Sequence, residues 1–273
     1  ERTSAILGVH LWGNACAVNE LQRIADHHDL KLLFDASHAF GCHLDARPIG
    51  SLGAAEAFSF HATKVLQAIE GGAIVTADDE FAERCRLMRN FGITDFTNIE
   101  SPGTNAKMNE LCAAAGLTSL ESIDDVIAHN RSNMSAYRRV LEGIPGLSLA
   151  IPQTSEARND QYVVVIVDEC EFGLSRDLML HVLRAEGVFA RSYFSPGCHN
   201  AMPYAGKPVH HPVAMPVTDR LLHDVLQLPT GPTVTTSDIE QIGQLLTTMH
   251  QHAAVVRGCV ANDAHFSTIP DAA

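Results

Sequence analysis

Ser59-Phe60-His61-Ala62-Thr63-Lys64, followed six residues later by Glu70-Gly71-Gly72, is the stretch on which the reading of the fold turns. An apolar run over 54–60 leads into it, and another over 72–76 leaves it after the Gly-Gly pair. The pattern predicts a buried strand that ends in a tight turn, with a further strand returning after it. Upstream, an apolar run over 30–35 closes at Asp35-Ala36-Ser37-His38, with Asp35 twenty-nine positions before Lys64. It predicts a second buried strand broken at its carboxyl end. In open α/β sheets, ligands sit outside the carboxyl ends of such strands.

A lysine with hydroxyls at one strand end and an acid at another is the set that pyridoxal phosphate requires. The lysine bonds the cofactor's aldehyde carbon, the acid keeps the pyridine nitrogen protonated, and hydroxyls take the phosphate. Taken alone, Lys64 reads as a solvated surface lysine, as most lysines are. Its place between an apolar strand and a Gly-Gly turn, flanked by Ser59 and Thr63, favours the chemical reading. A phosphate needs several donors in one small space, and hydroxyls beside turn amides supply them. Asp35 keeps two readings, an N-cap for the segment after it or a carboxylate facing a pyridinium. His38 is either a satisfied core histidine or a group that stacks on, or hydrogen-bonds, the cofactor ring.

Composition bounds the class. The chain has 273 residues, of which 46% are hydrophobic and 19% charged, with a mean hydropathy of +0.02. That suits a soluble globular protein with one large core or two modest ones. A formal charge of −13 argues against nucleic acid as a partner, since that surface draws on clustered Lys and Arg. No apolar run approaches the roughly 18 residues needed to span a bilayer, and no signal peptide opens the sequence. The seven cysteines are scattered and never form Cys-x-x-Cys, a pattern of reduced thiols in the cytoplasm. Fifteen histidines include no His-Glu-x-x-His, and adjacent pairs such as His27-His28 cannot share one helical face, so no metal is expected.

Along the chain, the periodicity predicts a short strand over 5–10, a turn at 12–14 and a helix over 20–28. A helix over 80–90 follows, capped by Asp78 or Asp79, with Phe81, Cys85 and Met88 turned inward. Residues 94–105 read as a loop, and helices are predicted over 108–120 and 123–141. The remainder reads as strands over 162–167 and 188–194 and helices over 176–186 and 237–250. The expectation is an α/β protein: 1–122 a large domain with a mostly parallel sheet, 123–252 a smaller α+β domain, and 253–273 a loose tail.

Six segments stand in the order and spacing of one family. They are Val9-His10-Leu11-Trp12-Gly13, Phe34-Asp35-Ala36-Ser37-His38-Ala39-Phe40-Gly41, the Ser59 to Lys64 stretch, Glu70-Gly71-Gly72, Arg89-Asn90-Phe91-Gly92, and Gly103-Thr104-Asn105-Ala106-Lys107-Met108-Asn109-Glu110-Leu111. Over residues 5 to 250 the chain resembles the DegT/DnrJ/EryC1/StrS family of pyridoxal-phosphate sugar aminotransferases. The resemblance implies the type I fold and a homodimer whose active sites are built from both subunits. It implies an amino group passed from glutamate to a ketone on a nucleotide-linked sugar, with dTDP-4-keto-6-deoxy-hexose the expected substrate.

Carried over by motif, Lys64 is the catalytic lysine, Asp35 the pyridine partner and Ser59 a phosphate ligand. Asn105 is the phosphate ligand reaching in from the neighbouring subunit. Lys107, Arg191 and Tyr193 fall toward the substrate, although the segment 191–199 reads equally as an ordinary strand and turn. The family most often has Gln where His38 stands, at the contact to the ring's phenolic oxygen. The first recognisable motif lies at residue 6, so the chain reads as the C-terminal two-thirds of an enzyme, without the upstream Gly/Ser/Thr-rich phosphate cradle. Two rivals follow: a catalytically silent homologue acting as a binding or regulatory subunit, and a deoxysugar 3-dehydratase. Lys64 argues against the dehydratase, whose relatives carry histidine there.

Overall fold

The computed structural model describes residues 3–150, 157–202, 204 and 214–261. Packing divides the chain into two units, one of Glu1–Arg131 with Thr154–Gln161, the other of Ser132–Gln153 with Tyr162–Ala273.

In the first unit, β1 (Ala5–Val9) passes through a 3-10 turn (Leu11–Gly13) into α1 (Val18–His28), which returns to β2 (Lys31–Asp35). A parallel pair needs such a crossover, and α1 supplies it. The chain then makes a two-residue hairpin, β3 (His43–Leu44) with β4 (Arg47–Pro48), before β5 (Ala55–Ser59) and β6 (Gly72–Val75). The sheet order is β1-β2-β5-β6, with the first three strands parallel and β6 antiparallel. Leu32 and Phe34 of β2 point into a core with Val18, Ala25, Leu52 and Phe58. Leu7 and Ile74 remain 66% and 57% exposed.

A buried polar pair sits in this core without a sequence signature. His10 stacks on Phe34 at 4.6 Å between ring centroids, and its Nε2 lies 3.5 Å from Glu56 Oε2. Glu56 Oε1 accepts the amides of Gly50 and Leu52 at 2.8 and 2.5 Å, so a carboxylate ties the crossover loop beneath β5. Buried carboxylates persist when their oxygens are hydrogen-bonded in this way.

α2 (Asp79–Arg89) is capped by Asp78, whose Oδ1 accepts from the Phe81 amide at 3.0 Å. Its expected inward face differs: Phe81 and Met88 are 38% and 49% exposed. A groove of about 680 Å³, lined by Ile74, Ala82, Cys85, Arg89 and Lys107 among others, lies between the helix and β6. The expected loop over 94–105 contains a small hairpin, β7 (Ile93–Asp95) and β8 (Asn98–Ile99), closed by Thr97 N–H donating to Asp95 Oδ1 at 2.8 Å. α3 (Glu110–Glu121) starts at the Asn109 cap, and α4 (Ile123–Leu141) runs from the first unit into the second. The division thus falls inside a continuous helix, and residues 157–161 rejoin the first unit.

The second unit holds β9 (Leu147–Leu149), β10 (Val163–Val167), α5 (Glu169–Phe172), α6 (Arg176–Ala185), α7 (Pro216–Asp224), β11 (Val225–Leu228), α8 (Thr236–Gln251) and α9 (Ala253–Ala261). Its antiparallel sheet is ordered β11-β10-β9. The core includes Tyr137, Phe172, Leu183, Leu228, Ile239 and Leu246. Two expectations are corrected here. Residues 188–194 form no strand, only a bridge from Arg191 to Gln227, because the backbone turns back through Ser195 N–H to Ser192 O at 2.8 Å. The expected tail begins with a helix, α9, held because Ala253 is buried and Val256 packs on the same core. The rest of that tail lies outside the described residues. Among them, no helix is long and apolar enough to cross a membrane, and no cluster of His, Cys, Asp or Glu could hold a metal ion.

Phe34 fills the space between His10, Gly8 and Gly53; a Cβ on either glycine would come within 2.8 or 2.9 Å of its ring. Phe34→Ala should therefore lower the stability of the first unit by about 3–5 kcal/mol, read as a shift in the urea midpoint. A loss below about 1 kcal/mol would contradict the packing described.

Candidate active site

The carboxyl ends of β2 and β5 open on one edge of the parallel sheet, with Asp35 registered opposite Ala57. Asp35 Oδ1 accepts from the Ser37 amide at 2.9 Å, so it caps the turn that follows. Its other oxygen takes no hydrogen bond from the described residues, which leaves the second reading available as well. Ala36 N–H reaches Ala57 O at 2.8 Å, and Ala39 and Cys42 continue the turn, carrying His38 over the strand end.

His38 is buried. The Trp12 amide donates to its Nδ1 at 3.3 Å, which assigns the neutral ring's proton to Nε2. Burial drives the imidazole down from 6.5 to about 4, the Lys64 cation pushes the same way, and Asp35 opposes both. The Lys64 amine is also lowered from its ordinary value, by burial against the opposing Asp35 charge. His38 feels the charges of Lys64 and Asp35, and Lys64 feels that of Asp35, so the structure brings the three groups together.

The turn carrying Lys64 is closed by Lys64 N–H to His61 O at 2.9 Å, Phe60 N–H to Gly71 O at 2.8 Å and Ala68 N–H to Phe60 O at 2.8 Å. Gly72 is needed for close approach, since a Cβ there would stand 2.6 Å from Phe58 O. Ser59 Oγ accepts the His61 amide at 3.3 Å, leaving its own hydroxyl hydrogen uncommitted among the described residues. Thr63 differs from the sequence reading. Its amide and its hydroxyl both meet His61 Nδ1, at 3.2 and 2.9 Å, while His61 Nε2 lies 3.6 Å from Glu70. With Nδ1 accepting the amide, the hydroxyl donates to the ring, and Thr63 ties the turn together rather than offering a second phosphate donor.

The remaining candidates stand apart. Asn105 pairs through its backbone with Asn90, and no hydrogen bond joins it to Asp35, Ser59 or Lys64. Lys107 Nζ donates to Asn90 Oδ1 at 3.0 Å and sits 4.7 Å from the Phe91 ring centroid. Arg191 and Tyr193 belong to the second unit. There Arg191 exchanges two backbone bonds with Gln227, and the Tyr193 and Phe194 ring centroids lie 3.8 Å apart.

Sequence reasoning missed Asn159 and Gln161. Asn159 is fully buried and donates from Nδ2 to both His38 O and Phe40 O at 3.0 Å. Gln161 Nε2 donates to Thr63 O. The only signal was a polar Arg-Asn-Asp-Gln run directly before an apolar strand, which reads as a loop.

The residues fit pyridoxal phosphate on their own chemistry. A lysine amine is pushed toward neutrality, a carboxylate has an unbonded oxygen, a neutral imidazole carries its proton on Nε2, and a serine hydroxyl can donate. Trp12 Nε1 and Gln161 Oε1 are buried without partners beside these groups.

Residues 1–247 match the sequence profile of the DegT/DnrJ/EryC1/StrS aminotransferase family. The chain is 40% identical over 194 residues to dTDP-4-amino-4,6-dideoxy-D-glucose transaminase of Shigella dysenteriae, covering 71% of this chain and 53% of that protein. It is 36% identical over 234 residues to the erythromycin biosynthesis sensory transduction protein EryC1 of Saccharopolyspora erythraea, covering 85% and 62%. The crystal structure of DesI with its TDP-sugar product superposes with a TM-score of 0.89 at 48% identity, over 96% of this chain and 66% of that one. The architecture is accordingly the type I fold of pyridoxal-phosphate-dependent sugar aminotransferases, with a mixed, mostly parallel sheet. The chain spans 53–62% of the length of the first three curated relatives it matches.

His38 gives a pH test. Its folded value lies below the ordinary 6.5, so the folded chain resists protonation there. The stability linked to it is fully present above about pH 6.5 and is lost as pH falls toward about 4. His38→Gln should flatten that part of the decline in urea midpoint, and the His38 ring signal in NMR should titrate near 4. A midpoint near 6.5 would contradict the burial.

Proposed function

The chain belongs to the DegT/DnrJ/EryC1/StrS aminotransferase family, and on that premise we propose that it serves a pyridoxal-phosphate-dependent sugar aminotransferase. The amino group passes from glutamate to a ketone on a nucleotide-linked sugar. The names of the Shigella relative and of the DesI complex favour a dTDP-linked 4-keto-6-deoxy-hexose. The single observation that carries the reading is the Lys64 amine, lowered by burial beside the Asp35 carboxylate and a neutral His38.

When bound, pyridoxal phosphate supplies an electron sink into which the Cα–H electrons of the donor can flow. Lys64 would hold the cofactor through its amine and would serve as the base that moves the donor's proton. An amine lowered by burial suits that work because it gives up and takes back a proton more readily than an ordinary lysine. The free oxygen of Asp35 would hold the pyridine nitrogen and favour its protonated form by direct charge pairing. His38 offers Nε2–H to the ring without adding a positive charge beside the lysine. Ser59 donates its hydroxyl to the phosphate. Asn105 would reach the phosphate of a partner subunit, as the family motif implies, in a homodimer with shared sites. Lys107, Arg191 and Tyr193 are carried over from the family motifs as substrate-binding residues. The free cysteines suit a reducing cytoplasm.

Borohydride treatment of the purified holoenzyme, followed by peptide mapping, should find the cofactor fixed to Lys64. Lys64→Ala should abolish both that adduct and turnover. Asp35→Asn should keep binding but lower kcat on the order of 10²–10³. Asn105→Ala should weaken cofactor retention while leaving the adduct possible. A cofactor found on another lysine refutes the assignment, and a cofactor found on none favours a silent binding subunit.

A further inference from the structure

Asn159 has both donors of its side-chain amide and an acceptor site of its oxygen committed. Its two amide hydrogens go to His38 O and Phe40 O, and its Oδ1 accepts the Gln161 amide at 3.2 Å. Its backbone carbonyl accepts from Asn130 Nδ2 of α4 at 3.2 Å, and Ala157 O accepts the His43 amide at 2.8 Å, so the strap is fixed at both ends. Two residues on, Gln161 Nε2 holds the Thr63 carbonyl, the oxygen of the peptide bond that enters Lys64. The span from Asn159 to Gln161 therefore grips the turn bearing His38 and the turn bearing Lys64 at once.

A third piece closes on the same point. Gly13 has φ of +76°, and a Cβ there would stand 2.7 Å from Asn159 Oδ1. The adjoining Trp12 amide is the one that holds His38 Nδ1. The 3-10 turn, the turn after β2 and the strap thus meet around the main chain of His38.

We propose that Asn159, with Gln161 beside it, is a positioning residue that fixes where His38 stands relative to Lys64 and Asp35. The inference rests on the cofactor reading above and deepens it. A buried carboxamide suits the task because it presents two donors in one plane, matched to the carbonyls of His38 and Phe40 on either side of Ala39. Serine offers one donor, and aspartate offers none at neutral pH. The groups facing His38 include Asp35, Lys64 and the Trp12 amide, so a shift of its turn moves His38 against both charges without removing any group that would touch the cofactor.

The test uses Asn159→Asp, nearly isosteric but facing two carbonyls with an oxygen, and Gln161→Met, which keeps volume and releases only Thr63. In the cofactor-free protein, amide exchange over residues 38–42 should quicken at least tenfold in Asn159→Asp, with β10 unchanged. In the holoenzyme both variants should shift the pH midpoint of the bound cofactor's visible absorption. They should also lower kcat on the order of ten- to hundred-fold with little change in donor KM. If Asn159→Asp does not fold, Gln161→Met carries the spectral and kinetic test alone. An unmoved midpoint with a uniformly lowered melting temperature would mean a structural role only and would overturn the proposal. Failure of the cofactor reading shows separately, as no adduct on Lys64 in the unmodified enzyme.

Discussion

The parallel register of β1, β2 and β5 is the constraint on which the rest of the first unit depends. Val9 stands opposite Asp35 and Asp35 opposite Ala57, so three strands run out on one edge. His10 N–H then meets Asp35 O at 2.9 Å, and Ala36 N–H meets Ala57 O at 2.8 Å. These bonds continue the ladders one step beyond the strands, and the turns that follow start from fixed points. A one-residue slip would turn Asp35 to the other face of the sheet and bring Phe34 out of the core. Two glycines defend the register. At Gly53, with φ of +60°, a Cβ would strike Leu32 O at 2.7 Å; at Gly72 it would strike Phe58 O at 2.6 Å.

Once the strand ends are fixed, electrostatics decides what can stand there. An amine and an imidazole placed close together cannot both be protonated without mutual repulsion, and burial sharpens that conflict. The structure resolves it in favour of a neutral His38, whose value is pushed to about 4, while Asp35 holds Lys64 against a deeper fall. His38 is thereby kept from adding a second positive charge beside the lysine. A second cation at position 38 would have weakened the pyridine nitrogen's hold on its proton.

Much of this was legible in the sequence because it is local. The runs over 30–35 and 54–60 encode their strands by apolar content, and the Gly-Gly pair encodes the close return of β6. The Asp78 cap was also readable from residue type and position, whereas Asn109, inside the helix expected over 108–120, proves to be its cap. What failed was whatever depended on partners far along the chain. Phe81 and Met88 have the spacing of an inward face, yet a groove separates α2 from β6. Residues 188–194 have the composition of a strand, yet their backbone turns away after one bridge. Thr63 has the chemistry of a phosphate donor, and only the geometry of His61 shows its hydroxyl already used. His10 with Glu56, and Asn159 with His38, are pairings that no period or motif marks.

The last of these pairings has the widest consequence for how the site comes into being. Asn159 and His38 are 121 positions apart. The residues to which we assign the chemistry, Asp35, His38, Ser59 and Lys64, all lie within a short span with largely local turns. Closing the loop to Asn159 adds an entropy cost that grows only slowly with length, but it requires α4 and the strand after it to be traversed first. The strands and turns can therefore assemble before the strap arrives, while the setting of His38 against Lys64 cannot. A chain ending at Arg131 would contain every group read as catalytic or cofactor-binding in the sheet, and would still leave the carbonyls of His38, Phe40 and Thr63 without the donors that hold them in the complete arrangement.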